Sequence, residues 1–284
     1  MFEIISKKQL NSDVYAMEIH APRVAKKAQA GQFIMLRVSD MGERIPLTVA
    51  GFDRNEGSVR IIFQAIGKTT TCLSEMNEGD CLVDFVGPLG MPTELPNKGK
   101  VVLIGGGLGA AISLPQAEEL YRRGVDTHAI LGFRNKDLII LEDEFRAATH
   151  GLKITTDDGS NGRKGFVTDI LREKIEGGAG YDLVIAIGPL PMMRAVCNLT
   201  RVFGVKTIIS MNSTMVDGTG MCGCCRVSVG GEVKFACVDG PDFDGHQVDF
   251  DEAMRRSRMY SIEEKQALDQ HALRAHKCRL GELA

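Results

Sequence analysis

The sequence predicts an all-β antiparallel barrel followed by a parallel α/β domain, with a small cysteine-rich module near the C-terminus. Three observations carry this. Short, turn-punctuated apolar runs fill the first hundred residues, with Gly31, Gly51, Gly57 and Gly79 between them. After Pro96-Asn97-Lys98-Gly99 the pattern changes to buried-strand runs alternating with helical stretches, as in a parallel sheet. Finally, Cys222, Cys224 and Cys225 crowd together among glycines, and Cys237 follows across a short apolar segment. The expected boundaries are 1–97 for the barrel, 98–210 for the α/β domain, 211–250 for the cysteine module and 251–284 for a helical tail.

A chain of 284 residues has room for two domains and an appendage. Its net charge of −3 offers no electrostatic footprint for nucleic acid or anionic membrane. No apolar run approaches the length of a membrane span, and the N-terminus MFEIISKKQL lacks the apolar core of a signal peptide. Half of the eight cysteines sit in one loop region, which suits metal binding in a reducing cytoplasm better than a disulfide framework.

In the barrel, strands are expected at Met1–Gln9, Val14–His20, Gln32–Val38, Thr48–Asp53, Gly57–Gln64 and Cys81–Val86. Two stretches there suggest a ligand. Arg44-Ile45-Pro46-Leu47-Thr48 offers a guanidinium that can clamp a pyrophosphate and a hydroxyl that can meet a ring edge. Gln64-Ala65-Ile66-Gly67-Lys68-Thr69-Thr70-Thr71 ends a strand and starts a helix, where free amides attract phosphate. An ordinary turn and an ordinary N-cap are the competing readings.

In the second domain, strands are expected at Val101–Ile104, Asp126–Gly132, Lys153–Thr156, Leu183–Ile187 and Lys206–Ile209. Helices should cover Ile112–Arg123, Glu142–Ala148, Val167–Lys174 and Pro191–Phe203. Ligands of such sheets lie beyond the strand C-termini. Three loops fall there: Gly105-Gly106-Gly107-Leu108-Gly109, Asp157-Asp158-Gly159-Ser160 and Gly188-Pro189. The first departs from the G-x-G-x-x-G fingerprint, so the reading is a nicotinamide-nucleotide site of another type.

The module Asp217-Gly218-Thr219-Gly220-Met221-Cys222-Gly223-Cys224-Cys225 has plant-type iron–sulfur spacing, with aspartate where the first cysteine is expected. Asp217, Cys222, Cys225 and Cys237 form the expected ligand set; a set using Cys224 preserves the spacing less well. Zinc, disulfides and buried structural cysteines are the alternatives. Zinc would want a second C-x2-C knuckle. In the tail, His271 and His276 read as solvated, Cys278 has no evident role, and Met254, Met259, Tyr260, Leu268 and Leu273 could form a docking stripe or fold back.

RIPLT, GKTT, IGGGLGAA, TDDGS, IGPLPMM and the cluster loop with CVDGPDFDGHQVDF, in this order, resemble the ferredoxin–NADP reductase superfamily over residues 1–250. The resemblance is to its iron–sulfur flavoprotein branches. One comprises electron-transfer subunits of dihydroorotate dehydrogenase. The other comprises small subunits of NADH-dependent reduced ferredoxin:NADP oxidoreductase, also described as sulfide dehydrogenase subunit beta. It implies an oxidoreductase with FAD on Arg44, Pro46, Leu47, Thr48, Gln64, Gly67, Thr69 and Thr70, Thr48 lying near flavin N5. It further implies NAD(H) on Gly105, Gly106, Gly107, Gly109, Asp157, Asp158, Gly159, Gly188 and Pro189, and a [2Fe-2S] cluster on the four ligands above.

No side-chain acid or base is required of such a carrier. Asp217 favours the second branch, which implies a larger flavin and [4Fe-4S] partner in a heterodimer, linked indirectly to ferredoxin, and electron bifurcation between NADH, NADPH and ferredoxin. The alternatives are a dihydroorotate dehydrogenase electron-transfer subunit or a hydrogenase-associated diaphorase and, from another class, an iron–sulfur redox sensor. NADH is preferred over NADPH for want of a visible 2′-phosphate pocket. Ile187 stands where relatives often carry cysteine.

Overall fold

The computed structural model describes residues 2–279, with side chains as far as Leu273; the side chains of His276 and Cys278 lie outside the described residues. The chain opens with β1 (Phe2–Gln9) and β2 (Val14–His20), a short α1 (Pro22–Ala25), then β3 (Phe33–Arg37), β4 (Arg44–Asp53) and β5 (Ser58–Gln64). Next come α2 (Lys68–Glu75), β6 (Cys81–Leu82) and β7 (Asp84–Leu89). These strands form one seven-stranded antiparallel sheet in the order β6-β1-β2-β5-β4-β3-β7, the barrel that was expected. Its interior is apolar, with Ile4, Ile19, Phe63 and Phe85 among the fully buried side chains. Each such side chain contributes about 1.5–3 kcal/mol by leaving water.

Two local expectations are corrected. Arg44 to Leu47 belong to β4, which starts four residues before Thr48, because Arg44 through Thr48 pair in unbroken register with Arg37 through Phe33 on β3. The stretch from Cys81 is also two strands: Leu82 stays with β1, while Phe85 and Val86 cross to β3.

The α/β domain contains β8 (Lys100–Gly106), α3 (Gly109–Arg122), β9 (Asp126–Phe133), α4 (Glu142–Ala148), β10 (Gly151–Thr156) and α5 (Val167–Glu176). It continues through β11 (Leu183–Ile187), α6 (Leu190–Val202) and β12 (Lys206–Ser210). All five strands run parallel. Alternation on β8 shows why the sheet is covered on both faces. Val101 and Leu103 pack into one core with α3, and Val102 and Ile104 into another with α5 and α6.

Beyond β12 the chain makes an excursion. It forms a hairpin, β13 (Arg226–Val229) and β14 (Glu232–Phe235), and returns as β15 (Asp242–Asp244), antiparallel to β12. The sheet order is therefore β10-β9-β8-β11-β12-β15. Then α7 (Phe250–Arg256) packs on α6 and β13, and α8 (Ser261–Arg279) reaches back to α2 of the barrel. Met254 folds onto the core, whereas Met259, Tyr260 and Leu273 stay exposed, so the tail residues do not form one continuous stripe. No described helix is long and apolar enough to cross a membrane.

Candidate functional site

Three groups of sequence-predicted residues converge where β3 and β4 of the barrel meet the α/β domain. On the barrel, Thr48 sits opposite Phe33 and Pro46 opposite Met35. Arg44 is half-exposed and held at 3.0 Å by Asp84, which Arg37 also grips at 2.9 Å. Burial works against the charge on Asp84, but the Arg44 and Arg37 guanidiniums outweigh it and hold its carboxyl below the usual range. Asp84 was not among the expected site residues. Only the β3–β7 register, which is not visible in sequence, brings it to Arg44.

The GKTT turn is adjacent, since Thr69 Oγ1 donates to Glu43 at 3.2 Å, one residue before Arg44. Gly67 is the N-cap of α2, with Thr70 Oγ1 accepting its amide at 3.0 Å and donating back to its carbonyl. The first-turn amides of α2 have no intrahelical partner and carry the positive end of the helix dipole, a ready anion seat. Gln64 is diverted: its Nε2 donates to Asp13 at 3.1 Å.

The nucleotide-side loops lie along the C-terminal edge of the parallel strands, as expected of the topology. Gly105–Gly109 and Gly188–Pro189 are in direct contact. A Cβ on Gly109 would collide with the Ile187 carbonyl oxygen, and one on Gly106 with Met192 and Pro189. Asp157, Asp158 and Gly159 follow β10, two strands from β8, at an offset of about 10 Å from sheet spacing. The Asp158 carboxyl turns back on its own loop, where the Ser160 amide and hydroxyl lower its pKa. The helix that follows the glycine loop, α3, packs against β4, the strand that carries Arg44 and Thr48.

In the cysteine loop, Gly218, Gly220 and Gly223 all adopt positive φ, +78°, +87° and +66°, conformations that L-side chains rarely take. Asp217 closes the loop: Oδ1 accepts from Thr219 N at 2.7 Å and Oδ2 from Cys222 N at 2.8 Å. These amide bonds, the Thr219 one foremost, lower its pKa. Cys225 and Cys237 are buried with their Sγ atoms 3.2 Å apart. Burial and the neighbouring Cys225 thiol push Cys237 up to about 12.

Cys222 is exposed, and among the described residues no three Cys, His, Asp or Glu side chains converge as a metal site. The structure thus brings Cys225 to Cys237 and Asp217 to the backbone of Cys222, as two pairs. Two sulfurs on one side and an oxygen with a sulfur on the other suit the two irons of a binuclear cluster, and a bound cation would remove the protons that the thiols otherwise hold. The Cys224 backbone braces the loop: its amide donates to Cys222 Sγ at 3.5 Å and its carbonyl accepts from Arg256 on α7 at 2.8 Å. Gly218 packs against Met35 of β3 and Leu89 of β7, so the cysteine loop rests on the barrel rim beside Thr48.

Comparison with known proteins agrees with this architecture. Residues 212–249 match the iron–sulfur cluster binding domain of dihydroorotate dehydrogenase B. A dihydroorotate dehydrogenase B (NAD(+)) electron transfer subunit homolog from Thermotoga maritima is 47% identical, over 93% of this chain and 93% of that protein. The corresponding electron transfer subunit of Geobacillus thermodenitrificans is 34% identical over 86% of this chain and 96% of its own. A solved structure of an NADH-dependent reduced ferredoxin-NADP oxidoreductase, described for its flavin-based electron bifurcation, superposes with a TM-score of 0.90 at 45% identity. That match covers 95% of this chain and 97% of the other. With its barrel, parallel α/β sheet and iron–sulfur domain in this order, the chain belongs to the family of oxidoreductases that comprises the dihydroorotate dehydrogenase B electron-transfer subunits and their ferredoxin-NADP oxidoreductase homologues.

Proposed function

We propose that this subunit carries electrons between NAD(H), FAD and a [2Fe-2S] cluster within a heterodimer whose larger partner holds flavin and [4Fe-4S] centres. The observation that supports it most is the convergence of three seats on one barrel rim. Thr48 and Arg44 lie on β4, the glycine loop leads into α3 packed on β4, and Gly218 packs on Met35 of neighbouring β3. FAD, when bound, supplies the conversion of hydride to single electrons. The residues of the chain bind and orient. The α2 first turn and Arg44 would hold the pyrophosphate, with Thr48 near flavin N5, and Gly105–Gly109 with Gly188–Pro189 admit a nucleotide close to the backbone. Asp157, Asp158 and Gly159 would lie at its far end. Asp217, Cys222, Cys225 and Cys237 would hold the cluster.

The domain limits 1–97, 98–210, 211–250 and 251–284 belong to this reading, as does a cytoplasmic setting with ferredoxin as an indirect partner. Asp217 in the place of the first cluster cysteine supports the bifurcating branch, which couples NADH, NADPH and ferredoxin, and the 45% identity to the ferredoxin-NADP oxidoreductase structure is compatible with it.

The test is an anaerobic assay of iron, sulfide and flavin per chain, with EPR after reduction, on wild type and Asp217→Cys. About two irons, two sulfides and one FAD, and an altered EPR signal with iron retained in the variant, are expected. Zinc in place of iron, or no flavin, would sink the proposal. An unchanged signal in the variant would remove Asp217 from the ligand set.

A further inference from the structure

Between the barrel and the α/β domain lies a small buried polar cluster that the electron-carrier reading does not use. Asp242 opens β15, Thr93 belongs to the connector between β7 and β8, and Gln116 is a fully buried residue of α3. Asp242 as a residue is only half-buried, yet its carboxyl Oδ1 is sealed from solvent and has no hydrogen-bond partner. Its other oxygen, Oδ2, lies 2.5 Å from Thr93 Oγ1. Thr93 in turn lies 3.2 Å from the Gln116 amide.

Counting protons decides what Asp242 is. The amide orientation of Gln116 follows from its surroundings. With Nε2 turned inward it donates to the carbonyls of Ile112 at 2.8 Å and Ser113 at 3.1 Å, which leaves Oε1 facing Thr93 Oγ1. A threonine hydroxyl has one proton and two lone pairs. If that proton goes to Gln116 Oε1, the short contact between Thr93 and Asp242 must be donated by Asp242. An ionised Asp242 would instead draw the Thr93 proton and leave Thr93 Oγ1 and Gln116 Oε1 facing each other with no proton between them.

We propose that Asp242 is held as a neutral carboxylic acid and positions the barrel on the α/β domain by donating to Thr93. The polar groups facing it are Thr93 from the connector, Gln116 behind Thr93 from α3, and Ser210 opposite on β12. Among the described residues no cation and no second carboxylate bears on it. Burial pushes Asp242 up to about 6 against the Thr93 and Ser210 hydroxyls, both of which lower it as donors. With Thr93 accepting, the same contact favours the acid form further. Neighbouring backbone bonds make the junction a unit. Met91 N donates to Gly240 O at 2.6 Å, Thr93 N to Ala30 O at 2.9 Å and Met211 N to Pro241 O at 2.9 Å. Ionisation of Asp242 should loosen all three elements together.

The sign follows from the raised pKa. In the unfolded chain Asp242 ionises near pH 4, so the penalty for folding is absent below that value. It grows as pH rises from there to the folded value and is fully present above it. Asp242→Asn keeps the geometry and supplies an N–H donor to Thr93 at every pH. In the full chain as purified, infrared difference spectroscopy should show a protonated-carboxyl C=O band at about pH 5 that Asp242→Asn lacks. The melting temperature of Asp242→Asn relative to wild type should climb between about pH 4 and pH 6 and level off above that. Thr93→Val, which removes the acceptor, should make the carboxyl band vanish at lower pH. No such band together with a pH-independent melting difference would overturn the proposal. Failure of Asp242→Asn to fold would also count against it, since the amide can make the same bond. None of these readouts depends on flavin or iron, so they stand or fall apart from the electron-transfer reading.

Discussion

The glycine loop at the end of β8 and the cysteine loop after β12 are both glycine-rich, but their glycines answer different demands. In Gly105–Gly109 the demand is mostly space. Gly109 lies against the Ile187 carbonyl, Gly105 against Leu131 and the Ala110 backbone, and Gly106 against Met192. Only Gly107, at φ +56° with nothing near it, is there for conformation. In the cysteine loop every glycine answers a demand of conformation; Gly218 and Gly220 also lie close to flexible side chains, Met35 and Val238, while Gly223 has only the Phe235 ring at 3.6 Å from a would-be Cβ. A loop shaped by its neighbours is finished when the domain folds. A loop shaped by its own dihedrals holds its donors in two pairs and leaves the last step of assembly to what it binds.

That contrast is easiest to break at Gly109. Gly109→Ala would drive a methyl into backbone that cannot yield, and a loss of about 3 kcal/mol or more is expected in chemical denaturation, with nucleotide binding lost alongside. Cys237→Ser comes next. It puts a hydroxyl in the pocket beside Cys225, costs about 2 kcal/mol from a buried unpaired polar group, and should leave the purified chain short of iron. Asp217→Ala removes the acceptor of two amide bonds and should cost about 1.5 kcal/mol.

The pH dependence of the last variant sharpens the comparison. The Asp217 pKa is lowered, so its stabilisation is present above the unfolded value and disappears as pH falls through the folded one. The difference between wild type and Asp217→Ala should therefore close in acid. Gly223→Ala tests the other kind of glycine and should cost only about 1 kcal/mol, the strain of a left-handed alanine. If it proved as damaging as Gly109→Ala, the distinction between the loops would fail.

Much of this was legible in the sequence because local chemistry and global fold coincide. The alternation on Val101–Ile104 announced a sheet covered on both faces, and the glycine turns announced its ligand edge. The spacing of Asp217, Cys222 and Cys225 marked the segment that matches an iron–sulfur cluster binding domain without reference to anything distant. What stayed hidden depends on long-range register. Asp84 reaches Arg44 only through the pairing of β7 with β3. Arg44 to Leu47 looked like a lead-in to a strand, since proline and arginine are poor strand formers, yet the β3 partner recruits them. The strand at Asp242–Asp244 had no apolar signature, and it pairs because β12 offers a free edge.

That last strand has a structural consequence. The excursion that carries Asp217 to Cys237 leaves the sheet at Ser210 and rejoins it at Asp242, directly opposite on the neighbouring strand. Its two ends are thus pinned about 5 Å apart whatever happens between them. Such a segment behaves as a cassette. Its exposed turns can change length with little effect on the parallel sheet while Cys225, Val227, Ala236 and Cys237 keep their places in the shared core, because closing a longer loop between fixed ends adds only a few tenths of a kcal/mol per added turn. One scaffold can in this way host metal loops of different donor chemistry, tuned separately from the nucleotide machinery beside them.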